Sequence, residues 1–196
     1  MNKIIIKYYK SPYGELILGD FNSRLCLADW RYRKMRRSID HRVQSTLKAA
    51  YCEGNTSFLE DTEKQLDEYF GKERKEFDIS LELVGTDFQK QVWKTLMEIP
   101  YGQTETYLGL SEKQRDVKAI RAVATANGAN AISIIVPCHR IIGSDNSLVG
   151  YAGGLLVKKK LLQLEEALPQ LVCQLLNLFT NIFVLFFLYA RQILQA

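Results

Sequence analysis

The sequence predicts a mixed α/β (α+β) protein built in two parts, and three observations carry that prediction. Before residue 83, apolar runs rich in β-branched and aromatic residues alternate with turn residues, as strands do. Beyond it, apolar residues recur three and four apart between capping and breaking residues, as on helices. The chain of 196 residues is 47% hydrophobic, enough for one full core or two small ones.

The strands come first. KIIIKYY and ELILGDF flank KSPYG, where Pro12 and Gly14 mark a turn, and RLCLADW adds a third strand. WRYRKMRRSIDHR follows, with Arg31, Arg33, Lys34, Arg36, Arg37 and Arg42 interleaved with aromatics. Such a segment suits nucleic acid, although its ordinary reading is a solvated loop or helix edge. FLEDTEKQLDEYF places Leu59, Leu66, Tyr69 and Phe70 on one helical face, with Gly71 as C-cap. FDISLELVGT reads as strand or linker, and the domain boundary falls at Leu83–Gly85. The first domain therefore spans 1–83, the second 84–166, and a tail 167–196.

In the second domain, Thr86 and Gln89 fit a capping box. Phe88, Val92, Leu96 and Ile99 then keep helical spacing until Pro100 and Gly102. TYLGLSEK is a short helix. Asp116 is the predicted N-cap of VKAIRAVATAN, whose buried face is Val117, Ile120, Val123 and Ala124; Lys118, Arg121 and Thr125 lie on its other faces and Gly128 ends it. Two short helices joined by a tight turn suggest a helix-turn-helix. AISIIVP reads as a strand, GSDNSLVGYAGG as a loop and LLVKKKLLQLEEA as a helix. The tail has no charged residue from Ala167 to Ala190. Its length suits a membrane span, but Gln170, Gln174, Asn177, Thr180 and Asn181 would form a polar stripe costly in lipid. Three readings stay open for it: membrane contact, a packed helix, or adventitious sequence.

Composition bounds the function. Charged residues at 24% argue against disorder, and a net charge of +4 permits a nucleic-acid partner without requiring one. Cys26, Cys52, Cys138 and Cys173 form no C-x-x-C pair, so neither a zinc ribbon nor a redox dithiol is signalled. His41 with Cys26 and Cys52 is too scattered to predict zinc. No metal and no cofactor are expected. The N-terminus lacks a secretory signal pattern, so a cytoplasmic location with free thiols is expected.

The chemistry concentrates in IIVPCHRII. A free thiol has a pKa of about 8.5 and is mostly protonated at neutral pH. A histidine can take that proton, directly or through water, and a carboxylate can orient the histidine. Cys138 and His139 would face opposite sides of a strand, so a bend after Pro137 is needed. By adjacency alone, a buried structural cysteine is the default reading.

NAISIIVPCHRIIGSDNSLVGYAGGL closely resembles the O6-alkylguanine-DNA alkyltransferases, the methylated-DNA–protein-cysteine methyltransferases. GTDFQKQVWKTLMEIPYGQTETY resembles that family's helix and turn before its DNA-binding motif, VKAIRAVATANGAN its recognition helix, and KKKLLQLE its closing helix. SPYGELIL and LCLADW agree more weakly. The resemblance covers nearly all of residues 1–166 and none of the tail. It implies a ribonuclease H-like first domain and a winged-helix-like alkyltransferase domain with a helix-turn-helix. It further implies irreversible, single-turnover transfer of the O6 alkyl group of a flipped guanine in double-stranded DNA to a cysteine, with O4-methylthymine as a further substrate, by a monomer. Cys138 then matches the acceptor, His139 the proton acceptor acting through water, and Glu165 its carboxylate partner. Asn130 matches the residue that holds the active-site turn, and Tyr107 the donor to the leaving guanine. Arg121 matches the finger that fills the base stack. Tyr151 and Ala152 match the loop over the base, and the carbonyls of Cys138 and Ile141 the readers of the guanine amino group. Lys118 is a DNA-contact candidate. The turn that is often GNP in the family is here Arg115–Asp116–Val117. Two rival readings are a lesion-binding module without transfer, which lacks the acceptor cysteine, and a multiple-turnover Cys–His hydrolase.

Overall fold

The computed structural model describes residues 2–168. The reading of the tail therefore lies, but for its first two residues, outside the described residues. Among the described residues no helix is long and apolar enough to cross a membrane.

Strands β1 (Asn2–Ser11), β2 (Gly14–Asp20) and β3 (Leu25–Trp30) form an antiparallel meander. Helix α1 (Arg36–Leu47) then carries the chain across to β4 (Ala49–Glu53), which pairs in parallel with β1. The sheet order is β3-β2-β1-β4. Alternation along β2 sorts side chains to two sides: Ile17 joins Ile39 and Val43 of α1, whereas Leu16 and Leu18 join the main core. Helix α2 (Ser57–Phe70) starts where Thr56 accepts from the Leu59 amide, and it buries Leu59, Leu66 and Tyr69 in that core. The residue after its end, Lys72, carries the left-handed backbone (φ 63°), not Gly71 (φ −76°). Segment FDISLELVGT forms no full strand; only Leu81 bridges to Leu25.

The second half opens with α3 (Asp87–Met97), whose Thr86–Gln89 capping box is complete in both directions. Val92, Leu96 and Ile99 are buried as expected, but Phe88, in the first turn, is 38% exposed. A short β5 (Glu105–Thr106) leads into α4 (Tyr107–Lys113), a single 3₁₀ turn at Val117–Ala119, and α5 (Ile120–Gly128). Asp116 caps the 3₁₀ turn by accepting from the Lys118 amide, not α5 itself. This shifts the buried face. Val123, Ala126 and Asn127 point inward, whereas Val117 and Ile120 are exposed, because three residues of tighter winding precede the α-helical register. The last elements are β6 (Ile141–Ile142), parallel to β5, and α6 (Leu155–Leu164).

AISIIVP does not form a strand. Ala131–Pro137 is a compact turn with one bridge, Ile132 to Ala28. Its amides bond within the turn, Ile135 to Ser133 and Val136 to Ile132, and Ile134 takes φ 73°, which breaks any ladder. The turn instead covers the open edge of β3: the Ala28 amide donates to the Ala131 carbonyl (2.9 Å), and the Ser133 amide donates to the Ala28 carbonyl (2.6 Å). The main core runs from Leu16 and Trp30 through Tyr69 to Trp93, Val123, Val136 and Leu161, so both halves share it and Cys138 lies within it.

Arg115 sits at φ 60° in the helix-helix turn, a conformation that costs a side-chain-bearing residue about 1 kcal/mol relative to glycine. We expect Arg115→Gly to raise the free energy of unfolding by roughly that amount; a urea titration showing no gain would mean that exposed Arg115 makes a compensating contact.

Candidate active site

Three segments converge on Cys138. Pro137 (φ −82°, ψ 59°) turns the chain into a 3₁₀ turn over Cys138–Arg140, and this turn, not a strand, separates the directions of Cys138 and His139. The Cys138 sulfur accepts from Asn130 Nδ2 at 3.2 Å. The same amide nitrogen donates to the carbonyls of Ile132 (3.2 Å) and Val136 (2.9 Å), and the side-chain oxygen accepts from the Ile132 amide. One buried side chain thus ties both ends of the turn to the sulfur. Burial raises the thiol pKa above its usual value, and the Asn130 bond offsets this only in part, so the resting sulfur is protonated.

His139 is fully buried, and its Nε2 lies 2.8 Å from Glu165 Oε1. Glu165, just past α6, also accepts from Tyr69 Oη (2.7 Å), Arg140 Nε (2.8 Å) and Arg140 Nη2 (3.0 Å). Burial works to raise the Glu165 pKa, but the His139 and Arg140 hydrogen bonds and charges bring it down to about 2. An ionised Glu165 fixes the His139 proton on Nε2. Nδ1 is then a bare lone pair, and it has no hydrogen-bond partner among the described residues. Burial keeps the imidazole neutral despite the pull of Glu165. The His139 Nδ1 lone pair is therefore a ready proton acceptor. Arg140 reaches further, donating from Nη1 to the Ile99 carbonyl (2.6 Å) at the end of α3.

A cavity of about 770 Å³ opens over the sulfur. Tyr107, Asn127, Tyr151 and Ala152 line it beside Cys138, and Trp30 and the Tyr32–Met35 segment close it from the first half. Burial raises the Tyr107 pKa, so its hydroxyl stays a proton donor, and Asn127 Nδ2 donates to it at 3.4 Å. Trp30 Nε1 donates to Tyr151 Oη at 3.0 Å, and the indole lies against Gly153, where a Cβ would come within 2.8 Å of the ring. That position accepts only glycine without moving Trp30.

The sequence-predicted residues separate into groups. Cys138, Tyr107, Tyr151 and Ala152 face the cavity; Asn130, His139 and Glu165 lie behind it. Arg121 and Lys118 are exposed on α5 and the 3₁₀ turn before it. Ile141 is fully buried and does not line the cavity; its carbonyl accepts from Lys158 Nζ, which also donates to the Val149 carbonyl (2.6 Å). Burial lowers the Lys158 pKa to about 8. Among the described residues no cluster of His, Cys, Asp and Glu could hold a metal.

Sequence reasoning misses the supports. Tyr69, Arg140 and Lys158 read as core or surface residues. The basic segment reads as a solvated face, yet Arg33 is buried and donates to Asp29 (2.9 Å), the Asn130 carbonyl (2.8 Å) and the Gly128 carbonyl (2.6 Å). Arg36 also bonds Asp29 (2.9 Å), and Arg42 donates to the Ala129 carbonyl (2.6 Å). Asp29 accepts further from Ser133 Oγ (3.2 Å) in the active-site turn. These arginines cap the end of α5 and clamp the turn onto β3. The one sequence signal is Asp29 four residues before Arg33, and it does not reveal the distant carbonyls.

Two family models divide the chain. "6-O-methylguanine DNA methyltransferase, ribonuclease-like domain" matches residues 4–83, and "6-O-methylguanine DNA methyltransferase, DNA binding domain" matches 87–167. The methylated-DNA–protein-cysteine methyltransferase of Methanosarcina barkeri is 43% identical over 157 residues, 80% of this chain and 94% of that one. The chain belongs to the 6-O-methylguanine DNA methyltransferase family. The protein of the same name from Methanosarcina acetivorans is 50% identical over 158 residues, 80% of this chain and 95% of its own. The crystal structure of the Mycobacterium tuberculosis O6-methylguanine methyltransferase superposes with a TM-score of 0.72 at 38% identity, covering 85% of this chain and 95% of that one. A structure of the mycobacterial protein in complex with DNA gives 0.71. Membership in the methylated-DNA–protein-cysteine methyltransferase family makes this a DNA-repair methyltransferase, and the mixed α/β fold read from the sequence holds.

Proposed function

We propose that the protein repairs double-stranded DNA by moving the O6 alkyl group of a flipped guanine onto Cys138, once per molecule. The observation that carries this reading is the protonated Cys138 sulfur at the floor of a cavity, beside a buried histidine whose free Nδ1 is backed by Glu165. His139 accepts the thiol proton through a water. The sulfur then attacks the alkyl carbon in line; the S–C bond forms as the C–O6 bond breaks, and the electron pair leaves with guanine. Tyr107 donates a proton or hydrogen bond to that leaving base, and the Ala152 amide addresses O6. Asn130 holds the turn, Tyr151 covers the base, and the carbonyl of Cys138 reads its amino group, whereas the Ile141 carbonyl, outside the cavity and bonded to Lys158, is not available for that role. Arg121 fills the stack and Lys118 contacts phosphate. The product thioether resists hydrolysis, so turnover stops after one transfer. O4-methylthymine fits the same displacement. No cofactor takes part. The protein acts as a monomer in the cytoplasm, with residues 1–83 as support for the alkyltransferase domain 84–166.

Mass spectrometry after mixing with O6-methylguanine duplex tests this. We expect one methyl group on the Cys138 peptide and a burst that ends at one equivalent. A modification elsewhere removes Cys138 as acceptor, and continued turnover points to a Cys–His hydrolase instead.

A further inference from the structure

The basic segment after β3 splits in two. Arg33, Arg36 and Arg42 turn inward to the clamp, whereas Tyr32, Lys34 and Arg37 face solvent. Tyr32 is 80% exposed, yet it is not loose: the Arg31 guanidinium stands 5.3 Å from its ring and 4.3 Å from that of Tyr8, and bonds Glu15. The ring is thus held by a cation–π contact, and by its hydroxyl 3.5 Å from Glu15, while most of its surface stays open to solvent. Its position adds to this. Tyr32 and Lys34 line the same cavity as Cys138, opposite Ala124 and Gly128 of α5. Neither Lys34 nor Arg37 has a carboxylate partner among the described residues, and the first turn of α1 holds no acid. Lys34 is thus a cation on the cavity wall and Arg37 an exposed one in the first turn of α1, while Lys118 and Arg121 are exposed just before and on α5, whose Ala124 and Gly128 line the same cavity.

We infer that Tyr32, Lys34 and Arg37 form a second DNA contact, supplied by the ribonuclease-like half. Lys34 and Arg37 neutralise phosphates of the strand beside the flipped nucleotide, and the exposed ring of Tyr32 stacks on a neighbouring base or packs on its sugar. A duplex is the partner this chemistry fits, since it offers anionic oxygens and π-faces together at the mouth of a base-sized cavity. The inference rests on the proposed DNA-repair reading and extends it to a half of the chain for which that reading gives only support.

The test is the salt dependence of binding to an unmodified duplex, with methyl transfer measured separately from O6-methylguanine duplex and from free O6-methylguanosine. All three side chains are exposed, so their replacement leaves the core intact. Lys34→Ala with Arg37→Ala should flatten the slope of log K against log salt by about 2, roughly one for each phosphate no longer neutralised. Tyr32→Ala should weaken binding about tenfold. Arg37→Ala alone, at a residue outside the cavity wall, should flatten the slope by about 1 and leave transfer from the free nucleoside unchanged, and Lys34→Arg with Arg37→Lys should keep the wild-type slope. An unchanged slope in the double alanine variant overturns the inference, as does an equal flattening in the charge-conserving pair. If wild-type protein takes no methyl group from DNA, the repair reading fails, and the unmodified-duplex slopes still decide this contact alone.

Discussion

Cys138→Ala should abolish methyl transfer outright and leave duplex affinity unchanged. The sulfur is the only nucleophile among the described residues that is both in the cavity and held by Asn130, and alanine removes it without altering the turn. Cys138→Ser should be equally inactive. A serine hydroxyl fits the Asn130 bond, but oxygen is far less nucleophilic than sulfur toward an alkyl carbon. The raised thiol pKa has a second consequence. Buried and protonated, Cys138 should react more slowly with a soluble alkylating reagent than half-buried Cys52, even though it is the proposed acceptor. Peptide mapping after brief iodoacetamide treatment checks this. Faster labelling at Cys138 would show a thiolate in the resting protein and would remove the need for His139 as proton acceptor. Residual demethylation by the alanine variant would remove Cys138 itself from the role.

The parts legible in the sequence are those set by local rules or by motif order. The Thr86–Gln89 box, the α2 stripe and the α3 face follow from spacing within one helix. The family motif also leads to the placement of Cys138 and Tyr107 at one cavity with His139 and Glu165 paired behind it, while the roles of these residues stay proposals. The failures share one cause, which is that the decisive partners are remote. Arg33 reads as a surface cation because its acceptors, the carbonyls of Gly128 and Asn130, lie more than ninety residues away. AISIIVP reads as a strand because every residue in it is apolar or β-branched or small. What overrides that propensity is Asn130, which takes the Ile132 amide and the Val136 carbonyl, and the edge of β3, which accepts only one bridge. Val117 and Ile120 are exposed, not buried, because a 3₁₀ turn intervenes where a single helical period predicts one continuous face. His139 beside Cys138 is the visible clue, but the arginine after it answers a question the motif leaves open. Arg140 is the cation that makes a carboxylate tolerable in the core.

Glu165→Gln should therefore damage both chemistry and stability, and the two losses have different pH signatures. The amide keeps the shape, and its oxygen can still accept from Tyr69 and His139. It cannot neutralise Arg140, which is 6% exposed: Nη2 can keep the amide oxygen and Nη1 the Ile99 carbonyl, but Nε loses its acceptor and the cation loses its counter-charge. Leaving a buried cation without its counter-ion costs about 3–5 kcal/mol. At neutral pH we expect the variant to unfold at lower urea by that amount, and transfer to slow by about a hundredfold or more, because the imidazolium formed when His139 takes the thiol proton loses its anion. The wild-type acid limb follows from the same groups. Glu165 sits at about 2 when folded against about 4.3 unfolded, so its contribution, about 3 kcal/mol, is complete above pH 4.3 and is lost as pH falls through 2. His139 acts in the same direction at higher pH. Its folded pKa is held below the unfolded value of about 6.5, so its neutral form favours the fold above that pH, and the advantage fades as acid charges the ring. Removing the carboxylate abolishes the lower window and steepens the upper one, since Glu165 is what pulls the His139 pKa back up. Urea titrations of both proteins between pH 3 and 8 measure this directly. Equal stability at pH 7 would show that the Glu165–Arg140 pair contributes nothing net to the fold. A variant that loses stability but transfers methyl groups at the wild-type rate would leave Glu165 as a structural residue only, with His139 acting unaided.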